Sequence, residues 1–242
     1  MRSKRGGVFM ACKEKITDKF FGCEKVIKNY GTKEVLRSVD FSVKPNGIIG
    51  IFGLNGSGKT TLLRILSGLD GNFKGLLYKT DFTDVSYMSV ENYYPAETSV
   101  KELISFFKVF CKNQNSEKII NELNAVGIPL KSRLRSLSSG MRQYVKFLLT
   151  VYSGASVCLF DEPLTNLDVN MREKIAQTMI ENVDENRLFI ITTHEINAIE
   201  RLIEGFFILH DGKLSPFYSS DEVVEQTGKS INEFYKEKVN EK

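Results

Sequence analysis

The stretch Gly53–Thr61, GLNGSGKTT, follows a short apolar run and comes before a segment with helical spacing. It fits the pattern G-x-x-x-x-G-K-[ST], whose glycines let consecutive backbone N–H groups turn toward one anion. The N-terminus of the following helix adds positive potential at the same point. We expect Lys59 to reach the β- and γ-phosphates of a nucleotide and the Thr60 hydroxyl to ligate Mg²⁺. The predicted nucleotide-binding residues of this loop are Gly53, Leu54, Asn55, Gly56, Ser57, Gly58, Lys59, Thr60 and Thr61.

Short apolar runs alternate with helical segments around this loop. The apolar runs lie at 47–52, 156–160 and 187–192. Their β-branched and aromatic residues are typical of parallel strands that are buried on both faces. Segments with helical spacing lie at 58–68, 139–152 and 168–182. The alternation predicts an α/β fold with a mostly parallel sheet, and loop 53–61 adds the expectation of a P-loop NTPase core. Because loop 53–61 joins a strand to a helix, we prefer a phosphate-binding loop to an ordinary glycine-rich turn.

Two regions depart from the alternation. The stretch from about 91 to 137 is polar, has a helical pattern and lacks a core strand, so we expect an inserted helical subdomain. Near the C-terminus, FFILHDGKLSPFY (206–218) predicts a hairpin that turns at Asp211–Gly212. We expect two short polar helices from Ser219 onward.

The composition of the 242 residues limits the classes of protein to be considered. Charged residues make up 26% and hydrophobic residues 42%, as in ordinary soluble globular domains. The net charge of +3 gives no reason to expect a nucleic-acid partner. The sequence contains no apolar stretch of the roughly 18 residues that a membrane-spanning helix needs, and we expect its start not to act as a signal peptide. The basic start, MRSKRGG (1–7), is expected to be disordered.

The cysteines are widely scattered and form no C-x-x-C pair. They lie at positions 12, 23, 111 and 158. This spacing argues against a zinc site or a disulfide framework and suits a reducing cytosol. Cys158 lies in an apolar run, so we expect a small buried hydrophobic residue rather than a reactive thiol.

Acidic side chains follow the second apolar run, in SVCLFDEP (156–163). A strand beside the one that precedes the loop would put Asp161 in reach of Mg²⁺ through water. Glu162 would then face the γ-phosphate, where it can polarise an attacking water. A solvated turn is the alternative for this acidic pair. His194 ends another strand, at the sheet edge where α/β sites gather, and a structural histidine is its alternative. For His210, in the predicted hairpin, we favour the structural role.

From about 20 to 214 the chain resembles the nucleotide-binding subunits of ATP-binding-cassette (ABC) transporters. Six motifs occur in the family's order: KNYG with Tyr30, loop 53–61, LSSGMRQ (137–143), VCLFDEP (157–163), LTNLD (164–168) and His194. The resemblance implies one ATP-binding domain over 19–242 after a flexible segment at 1–18. This domain would combine an N-terminal antiparallel β subdomain, the helical insert at about 91–137, and a C-terminal hairpin with helices at about 203–242.

The resemblance also implies that two such domains pair head to tail around two Mg–ATP. Each ATP would lie between the loop of one chain and the LSSGMRQ helix of the other. A side chain at position 140 would then hold the two chains apart, whereas without the family this stretch would be an ordinary serine N-cap. The resemblance implies that Tyr30 stacks on the adenine. Glu162, His194 and Lys59 would be catalytic, with His194 sensing the γ-phosphate. Ser138, Ser139 and Gly140 would contact the ATP of the partner chain, and Asp168 would lie at the interface.

The sequence departs from the family pattern at two places. In the signature, which usually has the sequence LSGGQ, Ser139 replaces a glycine and Met141 replaces the glutamine. The Q-loop glutamine is missing, because its expected place in VSYMSVENYYPAETSV (85–100) falls at Val90 or Glu91. Glu91 could still bind Mg²⁺ or water, which makes Thr60, Asp161 and Glu91 the predicted metal residues.

The resemblance favours a Mg²⁺-dependent ATPase subunit that powers a separate membrane permease, with export preferred over import. The chain would be cytoplasmic and peripheral on the inner face of the cell membrane. Its second ATP-binding subunit could be a copy or a different cassette. The alternatives are a soluble ABC-type ATPase without a permease and a small-molecule P-loop kinase, although a kinase would not explain the motifs at 137–143 and 164–168.

Overall fold

The computed structural model of the chain describes residues 13–16, 20–79, 84–111 and 113–240. The strands in this part of the chain are β1 (Lys13–Ile16), β2 (Phe21–Tyr30), β3 (Lys33–Val43), β4 (Gly47–Phe52), β5 (Lys74–Lys79), β6 (Val85–Met88), β7 (Val157–Asp161), β8 (Leu188–Thr193), β9 (Gly205–His210), β10 (Lys213–Leu214) and β11 (Tyr218–Ser219). The helices are α1 (Lys59–Leu66), α2 (Val100–Phe110), α3 (Ser116–Ala125), α4 (Ser139–Val151), α5 (Val169–Asn182), α6 (Ser220–Thr227) and α7 (Ile231–Asn240). The basic stretch 1–7 and Cys12 lie outside the described residues.

The larger sheet has the order β10-β9-β4-β8-β7-β6, with β11 also paired to β9. Strands β9, β4, β8, β7 and β6 run parallel, while β10 and β11 run antiparallel to β9. All residues of β4, β7 and β8 are buried, as their apolar sequences predict. The prediction of an α/β fold with a mostly parallel sheet is confirmed. Because Phe52 is paired with Thr193, and Asp161 with Thr192, the carboxyl ends of these strands meet at one edge.

The smaller sheet has the order β1-β5-β2-β3. Strand β2 pairs antiparallel with both β3 and β5, as expected for an N-terminal antiparallel unit, but β1 pairs parallel with β5. Strand β1 lies inside the segment 1–18 that was predicted to be flexible. Tyr30 ends β2 at the turn into β3, where Gly31 has a φ of 58°.

The two faces of the larger sheet are covered by different elements. One face packs against the smaller sheet and α1, through a core that includes Phe41, Ile51 and Leu62. The other face packs against α4, α5 and α7, through a core that includes Phe147, Phe160 and Phe234. This second core also contains Cys158, which is fully buried, and burial raises the pKa of its thiol to about 11. The prediction of a packed rather than reactive Cys158 is therefore confirmed.

The segment from 91 to 137 contains α2, α3 and a 3₁₀ turn at Leu134–Ser136. Helix α2 begins with a capping box, in which the Ser99 side chain accepts a hydrogen bond from the Glu102 N–H and the Glu102 side chain accepts one from the Ser99 N–H. Where the structure describes the chain, no helix is long and apolar enough to span a bilayer.

The C-terminal region contains the turn predicted at Asp211–Gly212. Both residues have positive φ angles, 46° and 73°, as a two-residue turn between antiparallel strands requires. Helices α6 and α7 were predicted to be polar, and this prediction was incomplete. They bury an apolar face that includes Val223, Ile231 and Phe234, so each is amphipathic.

Candidate functional site

The loop between β4 and α1, here called the cradle, turns tightly at the carboxyl edge of the sheet. Gly56 and Gly58 have φ angles of 81° and 111°, a region that side chains disfavour. A Cβ atom on Gly53 would lie 2.4 Å from the Leu209 carbonyl oxygen, so this position also excludes a side chain. The Ser57 hydroxyl is buried and has no hydrogen-bond partner among the described residues. A bound phosphate would supply an acceptor for it.

Lys59, the first residue of α1, is 6% exposed and its ammonium group is held inside the cradle. Its Nζ donates hydrogen bonds to the Gly53 carbonyl at 2.8 Å and the Leu54 carbonyl at 3.3 Å. It also lies 3.3 Å from Oε1 of Glu162. The positive charge of the loop is therefore already paired with the carboxylate at the end of β7.

Asp161, the last residue of β7, is fully buried. Its carboxylate accepts hydrogen bonds from the Thr192 hydroxyl at 2.7 Å and the Tyr87 hydroxyl at 3.2 Å, and also from Thr60. Burial raises the pKa of Asp161, and the hydrogen bonds from these three hydroxyl groups oppose that rise. A cation beside this carboxylate would favour its ionised form.

Mg²⁺ is the metal that these residues fit. The Thr60 hydroxyl and the buried Asp161 carboxylate are hard oxygen donors in contact with each other. The described part of the chain has no cluster of three or more acidic, histidine or cysteine side chains that could hold a metal. Mg²⁺ accepts such a sparse protein shell, because it keeps several waters and takes its remaining ligands from substrate phosphates.

Glu162 follows β7 and has a φ of 51°, which a residue with a side chain seldom adopts. Its Oε1 lies 3.0 Å from Nδ1 of His194, and its Oε2 accepts a hydrogen bond from the Thr165 hydroxyl at 3.2 Å. Its backbone carbonyl accepts a hydrogen bond from the Gln143 side chain at 2.9 Å. These roles of Thr165 and Gln143 were not predicted, because they depend on how the chain folds around Glu162.

Tyr30 lies at the other end of the site, with 48% of its surface exposed. Lys28 Nζ lies 4.8 Å from the centre of its ring, and the Tyr30 hydroxyl donates to Asp70 at 3.2 Å. Lys28 in turn forms a buried ion pair with Asp70 at 2.7 Å. Burial would raise the pKa of Asp70, but hydrogen bonds from Lys28 and the backbone outweigh it and leave that pKa lowered. The ring is thus held by a charged pair that the sequence analysis missed.

Tyr30, most of the loop and Glu162 line one cavity of about 560 Å³, here called the nucleotide cavity, whereas Asp161 and His194 are not among its lining residues. Its size is in the range of small-molecule sites. The lining residues include Tyr30, Asn55, Gly56, Gly58, Lys59, Thr60, Thr61, Glu162 and the segment Ser89–Glu91. Glu91, a predicted metal residue, is exposed and accepts a hydrogen bond from the Tyr93 hydroxyl. Most of the predicted loop residues and Glu162 therefore share a cavity with Tyr30.

Lys146 on α4 contacts the backbone of Ser89 and Val90. Its Nζ donates to the Ser89 carbonyl at 2.8 Å and the Val90 carbonyl at 3.1 Å, and the residue is 7% exposed. Burial lowers the pKa of Lys146 to about 8; Arg142 adds to this effect and Asp161 opposes it. No sequence pattern marks this residue as functional.

Ser138, Ser139 and Gly140 lie at the start of α4 and do not line the nucleotide cavity of their own chain. The Ser138 side chain caps α4 by accepting a hydrogen bond from the Met141 N–H at 3.1 Å. Asp168 caps α5 in the same way, with the Met171 N–H at 2.9 Å. Both caps are ordinary helix chemistry, so a role in contact with a second chain is a separate proposal.

The class of protein follows from this geometry: a glycine-rich cradle beside a buried acidic strand end defines a P-loop nucleoside triphosphatase. A family model described as ABC transporter matches residues 36–165. The chain is also 31% identical, over 195 residues, to an uncharacterized ABC transporter ATP-binding protein of Methanocaldococcus jannaschii, with 78% of this chain and 74% of that protein covered. The chain therefore belongs to the ABC transporter ATP-binding family, and it is an ATPase.

Two further comparisons agree with this assignment. The chain is 28% identical over 190 residues to the zinc import ATP-binding protein ZnuC of Wolbachia sp. subsp. Brugia malayi, with 76% of this chain and 77% of that protein covered. A solved structure described as the ATP binding subunit of an ABC transporter superimposes with a TM-score of 0.79 at 21% identity, covering 90% of this chain and 98% of that one. The second similarity concerns the fold alone. The predicted family is confirmed, whereas the exporter-like subtype is not.

Proposed function

We propose that the chain is the Mg²⁺-dependent ATP-hydrolysing subunit of a transporter, and that Glu162 is its catalytic base. The observation that carries this proposal is the position of the Glu162 carboxylate, which lines the nucleotide cavity and contacts Lys59 and His194. ATP would lie with its adenine on Tyr30 and its phosphates in loop 53–61. Mg²⁺ would be held by Thr60 and Asp161, with Glu91 as a further candidate, and would neutralise phosphate charge.

The residues around the γ-phosphate would divide the work of hydrolysis. Glu162 would accept the proton of the attacking water, a role that needs a carboxylate within hydrogen-bond reach of that water. His194, 3.0 Å from the same carboxylate, would hold its orientation and contact the γ-phosphate. Lys59 would exchange its bonds to the Gly53 and Leu54 carbonyls for bonds to phosphate oxygens. This exchange keeps the buried charge of Lys59 paired.

A second chain would complete the site. The start of α4 is exposed and carries small side chains, and the helix dipole gives it a positive potential. These properties suit a phosphate that is held by another subunit. Gly140 would approach that phosphate through its backbone N–H, with Ser138 and Ser139 beside it. Asp168 would lie near the same interface. The partner would be a copy of this chain or a different cassette of the family.

An exposed apolar patch supports a membrane partner. Phe106, Val109 and Phe110 on α2 are 55%, 74% and 70% exposed, and Tyr93 is 62% exposed. Phe107, by contrast, is partly buried and packs against Tyr94 and the core, so only Phe106 of these two neighbours belongs to the exposed patch. A cavity of about 270 Å³, here called the insert cavity, is lined by Tyr94, Leu103, Val145 and Lys146 among others. An apolar patch beside a cavity suits a short helix of a permease.

The direction of transport is part of this proposal. The sequence motifs favour export, but the zinc import protein to which the chain is similar points to import. A subunit of either type would sit on the cytoplasmic face of the membrane through its permease, and no nucleic-acid partner is expected. The soluble ABC-type ATPase remains the competing function.

Photo-crosslinking tests the transporter assignment against that competitor. A crosslinking amino acid replaces Phe110 in the patch or, as the control, Val224 on α6, which is 50% exposed. In membranes of the source cells, position 110 should capture a membrane protein with several spanning helices, identified by mass spectrometry, and position 224 should not. Capture of ribosomal or DNA-repair proteins at position 110 would favour the soluble ATPase instead.

A further inference from the structure

Lys146 is a buried lysine that the mechanism above does not use. It lies in the second turn of α4, where its neighbours Val145 and Phe147 are fully buried apolar residues. Removing an ammonium group from water is costly, and an apolar side chain at this helix position would avoid that cost. A charged residue in such a place therefore needs hydrogen-bond partners that offset the free-energy cost of burying its ammonium group.

The partners of Lys146 are two backbone carbonyls of the nucleotide-cavity wall. Its Nζ donates to the Ser89 carbonyl at 2.8 Å and to the Val90 carbonyl at 3.1 Å. Ser89, Val90 and Glu91 all line the nucleotide cavity, directly after β6. This is also the segment in which the sequence has no glutamine at the place where the family pattern has one.

The same residue also borders a different space. Lys146 lines the insert cavity together with Leu103 of α2 and with Asn92 and Tyr94. Asn92 and Tyr94 follow the nucleotide-cavity wall Ser89–Glu91 in sequence. One side chain thus joins the wall of the nucleotide cavity to the helices of the insert and to α4, whose N-terminus would contact the second ATP. Packed side chains and hydrogen bonds of this kind can transmit a positional change between sites.

We propose that Lys146 is a positioning residue for ATP hydrolysis, whose ammonium group fixes the wall Ser89–Glu91 through two backbone carbonyls. Lys146 would not touch ATP, because it does not line the nucleotide cavity and contacts only the carbonyls of two residues that do. Nucleotide affinity, which would come from Tyr30 and the loop 53–61, should therefore survive without it. The rate of hydrolysis should not, since misplacement of a cavity wall moves the groups around the γ-phosphate. The inference rests on the proposed site and its catalytic Glu162.

Three variants separate a positioning role from a structural one. Lys146→Met keeps the apolar stem and removes the donors, while Lys146→Arg keeps a charged group that can donate to both carbonyls, with the insert cavity beside it to admit its larger head. The control, Thr150→Val, removes a buried hydrogen bond one turn further along α4, from the Thr150 hydroxyl to the Lys146 carbonyl. Each full-length chain is assayed for kcat and KM with Mg–ATP and for its melting temperature.

The Met variant should lose at least about tenfold in kcat, whereas its KM should change by less than about twofold. The Arg variant should recover most of the rate, and Thr150→Val should retain the wild-type rate. The inference is wrong if the Met variant keeps wild-type kcat, if only KM changes, or if Arg and Met lose equally. If the Met variant does not fold, an Arg variant with normal melting temperature and a tenfold slower rate overturns it. Glu162→Gln, assayed in parallel, reports on the proposed site itself: full activity there would reject the site, not only this inference.

Discussion

Gly140→Asp tests the proposal that a second chain completes the nucleotide site. Gly140 is the second residue of α4, where a Cβ atom would lie 3.2 Å from a methyl group of Leu167, a contact that a flexible side chain can relieve. A carboxylate in the first turn of a helix is stabilised by the helix dipole by about 0.3–1 kcal/mol. We therefore expect the free energy of unfolding of the single chain to change by less than about 1 kcal/mol.

The same substitution should strongly oppose ATP-dependent pairing. A carboxylate about 4 Å from a phosphate charge costs about 4 kcal/mol at the effective dielectric constant of a protein surface, which raises the dimer dissociation constant about a thousandfold for each of the two sites. The assay is analytical ultracentrifugation with Mg–ATP in a Glu162→Gln background, which prevents turnover. Gly140→Asn, with the same shape and no charge, separates steric from electrostatic effects. A Gly140→Asp chain that binds ATP and dimerises as tightly as its Gly140 parent would refute the head-to-tail arrangement.

The remaining predictions concern the chain's own half of the site. Lys59→Ala should raise the ATP dissociation constant at least tenfold by calorimetry, because charge-assisted hydrogen bonds contribute about 1.5–3 kcal/mol each; unchanged affinity would exclude a phosphate contact. Tyr30→Ala should raise it about five- to hundredfold through loss of stacking, while Tyr30→Phe should not. Equal losses would implicate the hydroxyl bond to Asp70 rather than the ring. Glu91→Ala should raise the Mg²⁺ concentration for half-maximal hydrolysis, and an unchanged Mg²⁺ dependence would exclude Glu91 as a ligand.

Local patterns in the sequence were enough to predict the core of the fold. Strand β4 and the loop after it were predictable because an apolar run, glycines at the spacing of the phosphate-binding pattern and the start of a helix are adjacent in the chain. The turn at Asp211–Gly212 was predictable for the same reason, since the φ angles it needs are set by these two residues. The composition of α6 and α7 predicts polar helices, because composition alone does not show that each helix turns its few apolar residues toward the core.

The groups that support the predicted site residues could not be inferred in this way. Asp70 is far from Tyr30 in sequence, and Lys146 is far from Ser89, so only the folded chain brings each pair together. The positive φ of Glu162 likewise depends on how β7 ends beside β8, where the Glu162 N–H donates to the Thr192 carbonyl at 3.0 Å. Contacts of this kind carry no period or spacing that a single sequence displays.

The catalytic assignment of Glu162 is the central claim, and steady-state ATP hydrolysis by Glu162→Gln tests it most directly. The amide keeps the size of the side chain and its place beside His194 but cannot accept the proton of the attacking water. As a matched control, Glu97→Gln removes an exposed carboxylate that pairs with Arg133 and Arg135, away from the nucleotide cavity. We expect kcat of Glu162→Gln to fall about a hundredfold or more with ATP affinity retained, and Glu97→Gln to keep the wild-type rate. A Glu162→Gln chain that hydrolyses ATP at the wild-type rate would contradict the account.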